Sequence, residues 1–354
     1  MGRPRKIKSI SDEEAIELAE ELEEVIEGEL VEETKSKFPN PGVDIAALVK
    51  SAKGRYSRGK KQGLANDLTT GDKIILSEET DDYVILSEGR DEFWRPLSGI
   101  KGIPFGRIVQ IAGKPDSGKS TTAMVFMKAA QEAGVLVILW DSEKKFSTSR
   151  YENRIGGDAS IIPLSRNKQI VEGTKQIVSY VKDAKAQNPD VKILIVWDSV
   201  GATLNTAEDI ENDDHTKQPG VTAREISWAI KRLNQLIERY RNTETGKETV
   251  AVLCINQVYD NIGSVGTKQK GGKELEYLSS IILELSRKKT LKRQVQGVKK
   301  KYGIVARANV VKNHLFDGED CVAELDIVVS ANGIQLAADI KDANIEGLDD
   351  PDED

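Results

Sequence analysis

Residues 113–120 read Gly-Lys-Pro-Asp-Ser-Gly-Lys-Ser, which fills every fixed position of the phosphate-loop pattern G-x-x-x-x-G-K-[ST]. Gly113 and Gly118 let the backbone turn its N–H groups inward around an anion, and a helix opening at Lys119 adds positive potential. Lys119 offers a point charge to the β- and γ-phosphates of a nucleotide, and Ser120 a hydroxyl to Mg²⁺. Lys114, Pro115, Asp116 and Ser117 complete the loop, and Thr121 follows it. Two acids are placed to join this site. Asp198 ends the apolar run Ile193-Leu-Ile-Val-Trp197, where a strand delivers a carboxylate to the metal. Asp141-Ser142-Glu143 follows a second apolar run, Val135–Trp140. Glu143 is there the candidate base that orients an attacking water.

Such a site needs strands that end side by side and a helix rising from the loop. Apolar runs at Arg107–Ala112, Val135–Trp140, Lys192–Trp197 and Val250–Ile255 alternate with helical stretches at Lys119–Glu132, Lys168–Ala186 and Val221–Arg241. Strands apolar on both faces and separated by helices predict an α/β core, a mostly parallel sheet covered on each side. Ile281–Leu285 and Ile304–Val311 flank a basic block, which predicts a hairpin arm. Cys321–Val329 is expected as an edge strand. Ahead of the core, Ser11 and Glu14 form a capping box, and Ala15, Leu18, Leu22, Ile26 and Leu30 give an apolar stripe on an acidic helix. A second, basic helix is expected over Ile45–Arg55. The boundaries expected are a helical, protomer-associating extension at 1–65, the nucleotide-binding core at 66–335, and an acidic tail at 336–354.

Composition narrows the function. The 354 residues carry 51 Lys and Arg against 58 Asp and Glu, and the charges are sorted into blocks. Residues 339–354 hold eight acids and one Lys, so the tail alone carries the net −7 and should stay without structure. Residues 12–34 hold twelve acids and no base, whereas 287–307 hold nine bases and no acid. Blocks of both signs suggest a polyanion partner or self-association. Cys254 and Cys321 are the only cysteines, too few for a disulfide framework or a four-cysteine zinc site. No apolar run approaches the roughly 20 residues of a bilayer crossing, and the basic N-terminus has no apolar segment behind it, so a cytoplasmic protein without membrane contact is expected.

With these residues in place, the sequence resembles the RecA recombinase family, including its phage members, over about residues 98–335. The resemblance rests on Gly102-Ile-Pro-Phe-Gly106-Arg107 running into the phosphate loop, and on Asp198-Ser199, Ile255-Asn256-Gln257, Gly271-Gly272 and Val310-Val311-Lys312-Asn313 in that order. It implies a RecA-like core using ATP and Mg²⁺, with Ser120 and Asp198 on the metal. Glu143 matches the family's catalytic glutamate, Gln257 its γ-phosphate sensor, and Lys312 a lysine that reaches a neighbour's ATP. Tyr151 matches the tyrosine that stacks on adenine, allowing one inserted residue. A second family lysine is His314 here.

The resemblance also implies DNA contacts. Two segments, 205–220 and 258–270, correspond to the family's DNA loops. Arg224 and Lys231, seven apart on one helix, match phosphate contacts. In the second loop Ile262 matches an apolar wedge between bases, with Gly263, Lys268, Lys270 and then Gly271 and Gly272 around it. Arg287 and Arg307 match family positions in the basic arm, 287–307. The function implied is an ATP-dependent recombinase that forms filaments on single-stranded DNA and exchanges strands with a homologous duplex, aided by single-strand-binding and loader proteins, in a host cytoplasm if phage-encoded. A ring-forming DNA helicase and a recombinase paralogue without turnover are the competing classes.

Overall fold

The computed structural model describes residues 42–44, 47–48, 50–51, 68–69, 83–85, 93–206, 220–240, 248–260, 267–269, 273–315, 321–337 and 345–346. The acidic helix expected before residue 35 therefore lies outside the described residues, as do most of the basic helix at 45–55, the interior of the first DNA loop, and Ile262, Gly263, Lys270, Gly271 and Gly272.

The strands, in chain order, are β1 Leu68–Thr69, β2 Tyr83–Ile85, β3 Gly102–Pro104, β4 Ile108–Gly113, β5 Leu136–Asp141, β6 Leu164–Ser165 and β7 Ile193–Asp198, followed by β8 Val250–Asp260, β9 Thr267–Gln269, β10 Ser279–Val295, β11 Val298–Asn313, β12 Glu324–Ser330, β13 Gly333–Leu336 and β14 Ile345–Glu346. Among the described residues the longer helices are α1 Lys119–Glu132, α2 Ile170–Gln187, α3 Val221–Arg239 and α4 Lys273–Leu278. Most strands form one sheet in the order β1-β6-β5-β7-β8-β4-β10-β11-β12-β13, with β9 on β8 and β14 on β10. Its centre, β6-β5-β7-β8-β4-β10, is parallel, and both flanks are antiparallel.

Alternation along the central strands makes two apolar layers, because successive side chains point to opposite faces. Val109, Ile111, Val137, Leu139, Leu194 and Val196 pack with Ala123 and Met127 of α1 on one face. Ile108, Leu136, Ile138, Ile193, Ile195 and Cys254 pack with α2 and α3 on the other. There Trp140 and Trp197, partners in register, stack with ring centroids 4.1 Å apart.

The basic block is a hairpin, as its composition and flanks suggest, but its strands are far longer than expected. β10 and β11 meet at a two-residue turn, Gln296-Gly297, with φ of 51° and 76°. Both values are left-handed, as a turn matched to strand twist demands. β12 is not an edge: it pairs with β11 on one side and β13 on the other. The tail is not wholly without structure either. Ile345–Glu346 pairs with Arg293 and Lys292 of β10, where β10 has run past the end of β4 at Gly113 and its edge is open.

Candidate active site

Register fixes the site. Gly113 of β4 lies beside Gln257 of β8 and Leu285 of β10, and Asp141 of β5 beside Asp198 of β7. The carboxyl ends of neighbouring parallel strands thus share one rim, where ligands of such sheets bind. A cavity of about 560 Å³ opens there, lined by the phosphate loop, Asp141, Glu143, Lys145, Phe146, Arg150, Asp198, Ser199 and Gln257.

The loop is held by close packing. A Cβ on Gly113, where φ is 156°, would lie 2.3 Å from the Leu285 carbonyl oxygen and 2.6 Å from Ser117 Oγ. Gly118, with φ of 96°, begins α1. Lys119 is nearly buried and donates to the Lys114 carbonyl at 2.7 Å. Burial pulls its pKa down, against the opposing fields of Asp198, Glu143 and Asp116. Ser117 Oγ is buried without a partner, an open donor on a wall built for an anion.

The acids are clasped together. Ser142 Oγ donates to the Ser199 carbonyl at 2.8 Å and accepts the Ser199 N–H at 3.0 Å, tying the ends of β5 and β7. Glu143 Oε1 accepts from Ser199 Oγ at 2.7 Å and from Gln257 Nε2 at 2.9 Å, and Lys145 Nζ lies 2.5 Å from Oε2. Burial raises the Glu143 pKa, but these three donors together hold it below the usual carboxylate range. Asp198 is half-buried, and loss of hydration pushes its pKa up to about 6, with Ser120's hydroxyl bonded to it and the Glu143 and Asp141 charges adding to the rise. A carboxylate paired with a hydroxyl, with two further acids in its field, fits a divalent cation. Among the described residues no group of three or more His, Cys, Asp or Glu could hold a metal. Magnesium at nucleotide sites typically takes one or two protein ligands plus phosphates, so Ser120 and Asp198 suit it.

Geometry of this kind agrees with ancestry. The RecA N-terminal domain family matches residues 75–335. The chain belongs to the RecA family. Proteins named RecA from Roseiflexus castenholzii, Rippkaea orientalis and Trichodesmium erythraeum are 31%, 31% and 30% identical to it, over 70%, 75% and 76% of this chain. The matched stretches cover 65%, 69% and 68% of those relatives, so this chain spans just under two thirds of the first.

Tyr151, which the resemblance matched to an adenine-stacking tyrosine, does not line the cavity in this structure. Its side chain is fully buried, packed against Phe146, and its hydroxyl donates to Gln131 Oε1 at 2.9 Å. The π-helical turn Tyr151–Ile155 starts here and turns the ring into the core. Arg150, one residue earlier, lines the cavity, its Nη2 donating to Thr121 Oγ1 at 2.5 Å. A guanidinium is planar and stacks on aromatic faces. Phe146 and Lys145 also line the cavity and were not singled out by the sequence. Asp141 fixes their backbone by accepting the N–H groups of Lys145 and Phe146, both at 3.0 Å.

Gln257 extends the site outward, since Tyr259 donates its hydroxyl to Gln257 Oε1 at 3.1 Å at the start of the second loop. Lys312 does not reach its own chain's cavity. Its amine donates to the carbonyls of Glu276 and Tyr277 at the end of α4, where a cation satisfies unpaired helix carbonyls. Arg224 and Arg287 are exposed, and Lys231 pairs with Glu274 at 3.2 Å. Lys268 lies on β9. Arg307 is not a free cation: its guanidinium binds Asp326 and also Glu324. In a strand pair facing β12, those acids occupy the charge that the arm's composition had assigned to DNA.

Proposed function

We propose that this chain is an ATP-dependent DNA recombinase. It binds single-stranded DNA as a helical filament, pairs that strand with a homologous duplex, and exchanges strands. The single observation that carries this reading is the hydrogen-bonded link Glu143–Gln257–Tyr259. It connects the candidate base to the segment expected to touch DNA, so hydrolysis and DNA contact share one mechanical element.

In this reading the phosphate loop and Lys119 hold the triphosphate, and Ser120 and Asp198 hold Mg²⁺, which when bound neutralises charge on the β- and γ-phosphates. Arg150 and Phe146 flank the base. Glu143 orients a water toward the γ-phosphate and accepts its proton. Gln257 feels the γ-phosphate through its bond to Glu143 and passes the change along β8. Lys312 serves the ATP of an adjoining protomer. Arg224, Lys231, Lys268 and the exposed cations of the arm supply phosphate contacts, which give affinity without sequence information. Cofactor, filament and cytoplasmic setting follow from the same reading. Electron microscopy of the full chain with single-stranded DNA and a non-hydrolysable ATP analogue tests it. Helical filaments are expected; a closed ring would indicate a helicase, and no assembly a regulator.

A further inference from the structure

Lys145 stands out among the groups at the cavity because it already occupies the base. Glu143 has both oxygens engaged: Oε1 by Ser199 and Gln257, and Oε2 by Lys145 Nζ at 2.5 Å. The resting carboxylate is thus a poor proton acceptor. The two side chains differ sharply in freedom, since that of Lys145 is 79% exposed and that of Glu143 16%. The Lys145 backbone, by contrast, is clamped, its N–H on the Asp141 carboxylate, while the Lys144 carbonyl accepts from Arg166. A fixed root thus carries a flexible four-carbon stem and a compact charge. The amine also sits in the field of Asp198 and Asp116.

We propose that Lys145 is a mobile γ-phosphate ligand, parked on Glu143 until a nucleoside triphosphate enters. The γ-phosphate brings more negative charge than a single carboxylate, and the phosphate loop that would hold it lines the same cavity as Lys145. The amine moves to it and leaves Glu143 Oε2 open to the attacking water. Arrival of the substrate thereby arms the base, and a diphosphate, lacking the γ-group, leaves the ion pair in place. The inference rests on the nucleotide reading above and adds to it a discrimination between tri- and diphosphate within one chain.

The test uses the full chain with Mg²⁺ and compares affinity for a non-hydrolysable ATP analogue and for ADP. Lys145→Met should weaken the analogue by about three- to tenfold, in line with loss of one exposed charge-assisted hydrogen bond, and change ADP affinity less than about twofold. Lys145→Arg should restore most of the loss. The same pair is then measured on a Glu143→Gln background, where the base carries no charge. There Lys145→Met should still weaken the analogue; no further loss would mean that Lys145 merely screens Glu143, and would overturn the proposal. Equal weakening of both nucleotides, or none, would overturn it as well. Wild-type protein that binds neither nucleotide would instead remove the nucleotide reading itself.

Discussion

Gly173 approaches Trp140 so closely that a methyl group on the glycine would lie 2.2 Å from the indole Cζ2. In a helix interior, Gly→Ala ordinarily stabilises by about 0.5–1 kcal/mol. Here the indole is buried, stacked on Trp197, and bonded through Nε1 to the Asn167 carbonyl at 2.7 Å, so it has nowhere to retreat. Gly173→Ala should destabilise the protein by about 1–3 kcal/mol, the usual cost of overpacking. Urea unfolding decides the sign.

Glu143→Gln keeps the shape of the side chain and its bond to Ser199 but removes the base. DNA-stimulated ATP hydrolysis should fall about 10²- to 10⁴-fold, with nucleotide binding retained. Hydrolysis at the wild-type rate would remove Glu143 from its role.

Arg150 and Tyr151 can be separated by substitution. Arg150→Ala should weaken nucleotide binding and leave the thermal midpoint little changed. Tyr151→Phe should do the reverse, costing about 0.5–1.5 kcal/mol of stability through one lost hydrogen bond. Gln131 Oε1 still accepts the Asp158 N–H at 2.9 Å, so no buried acceptor is left alone. Nucleotide affinity unchanged by Arg150→Ala would contradict the assignment.

Asp198 makes metal binding pH-dependent. Burial sets its pKa at about 6 against an ordinary 3.8, so below pH 6 a proton competes with Mg²⁺ for the carboxylate. Affinity for Mg²⁺-nucleotide should rise by up to about tenfold per pH unit below 6 and level off above it. The metal-free fold responds in the opposite sense: the raised pKa favours the protonated, folded form, so this group's contribution is full below pH 3.8 and is lost as pH rises through 6. Titrations between pH 5 and 7.5 check the first trend, and a flat profile would contradict it.

The arm offers a separable function. Lys299, Lys300 and Lys301 are exposed on β11, away from the ion pairs of Arg307. Replacing all three by Ala should leave single-strand-stimulated ATPase nearly intact while strand exchange falls. Parallel loss of both would assign these lysines to the primary strand.

Motif and strand logic carried far in this chain, since both depend on local sequence. The phosphate loop needs particular residues at particular places, and the core strands are apolar on both faces because both are covered. Asp198 and Glu143 were legible because each follows such a run. The misses share a cause: they depend on what lies opposite. Tyr151 and Arg150 are adjacent, and only the packing of Gln131 and Phe146 decides which ring or guanidinium turns inward. Arg307 stands in a run of bases, and nothing local shows that β12 brings Asp326 across from it. The length of β10 and β11 was hidden because an exposed ribbon carries charge on both faces and leaves no apolar period to read.

The order of strands in the sheet sets a schedule for synthesis. β4, which leads into the phosphate loop, takes both its neighbours, β8 and β10, from much later in the chain. At about 5–20 residues per second, a nascent chain would carry β4 with open edges for roughly 8–35 s before β10 leaves the ribosome. Until then Gly113 lacks the Leu285 backbone against which it packs, and the nucleotide that would later stabilise the fold has no finished loop to bind. The strand that leads into the phosphate loop therefore stays partly unpaired through much of translation, a stage at which a chaperone would matter to this protein.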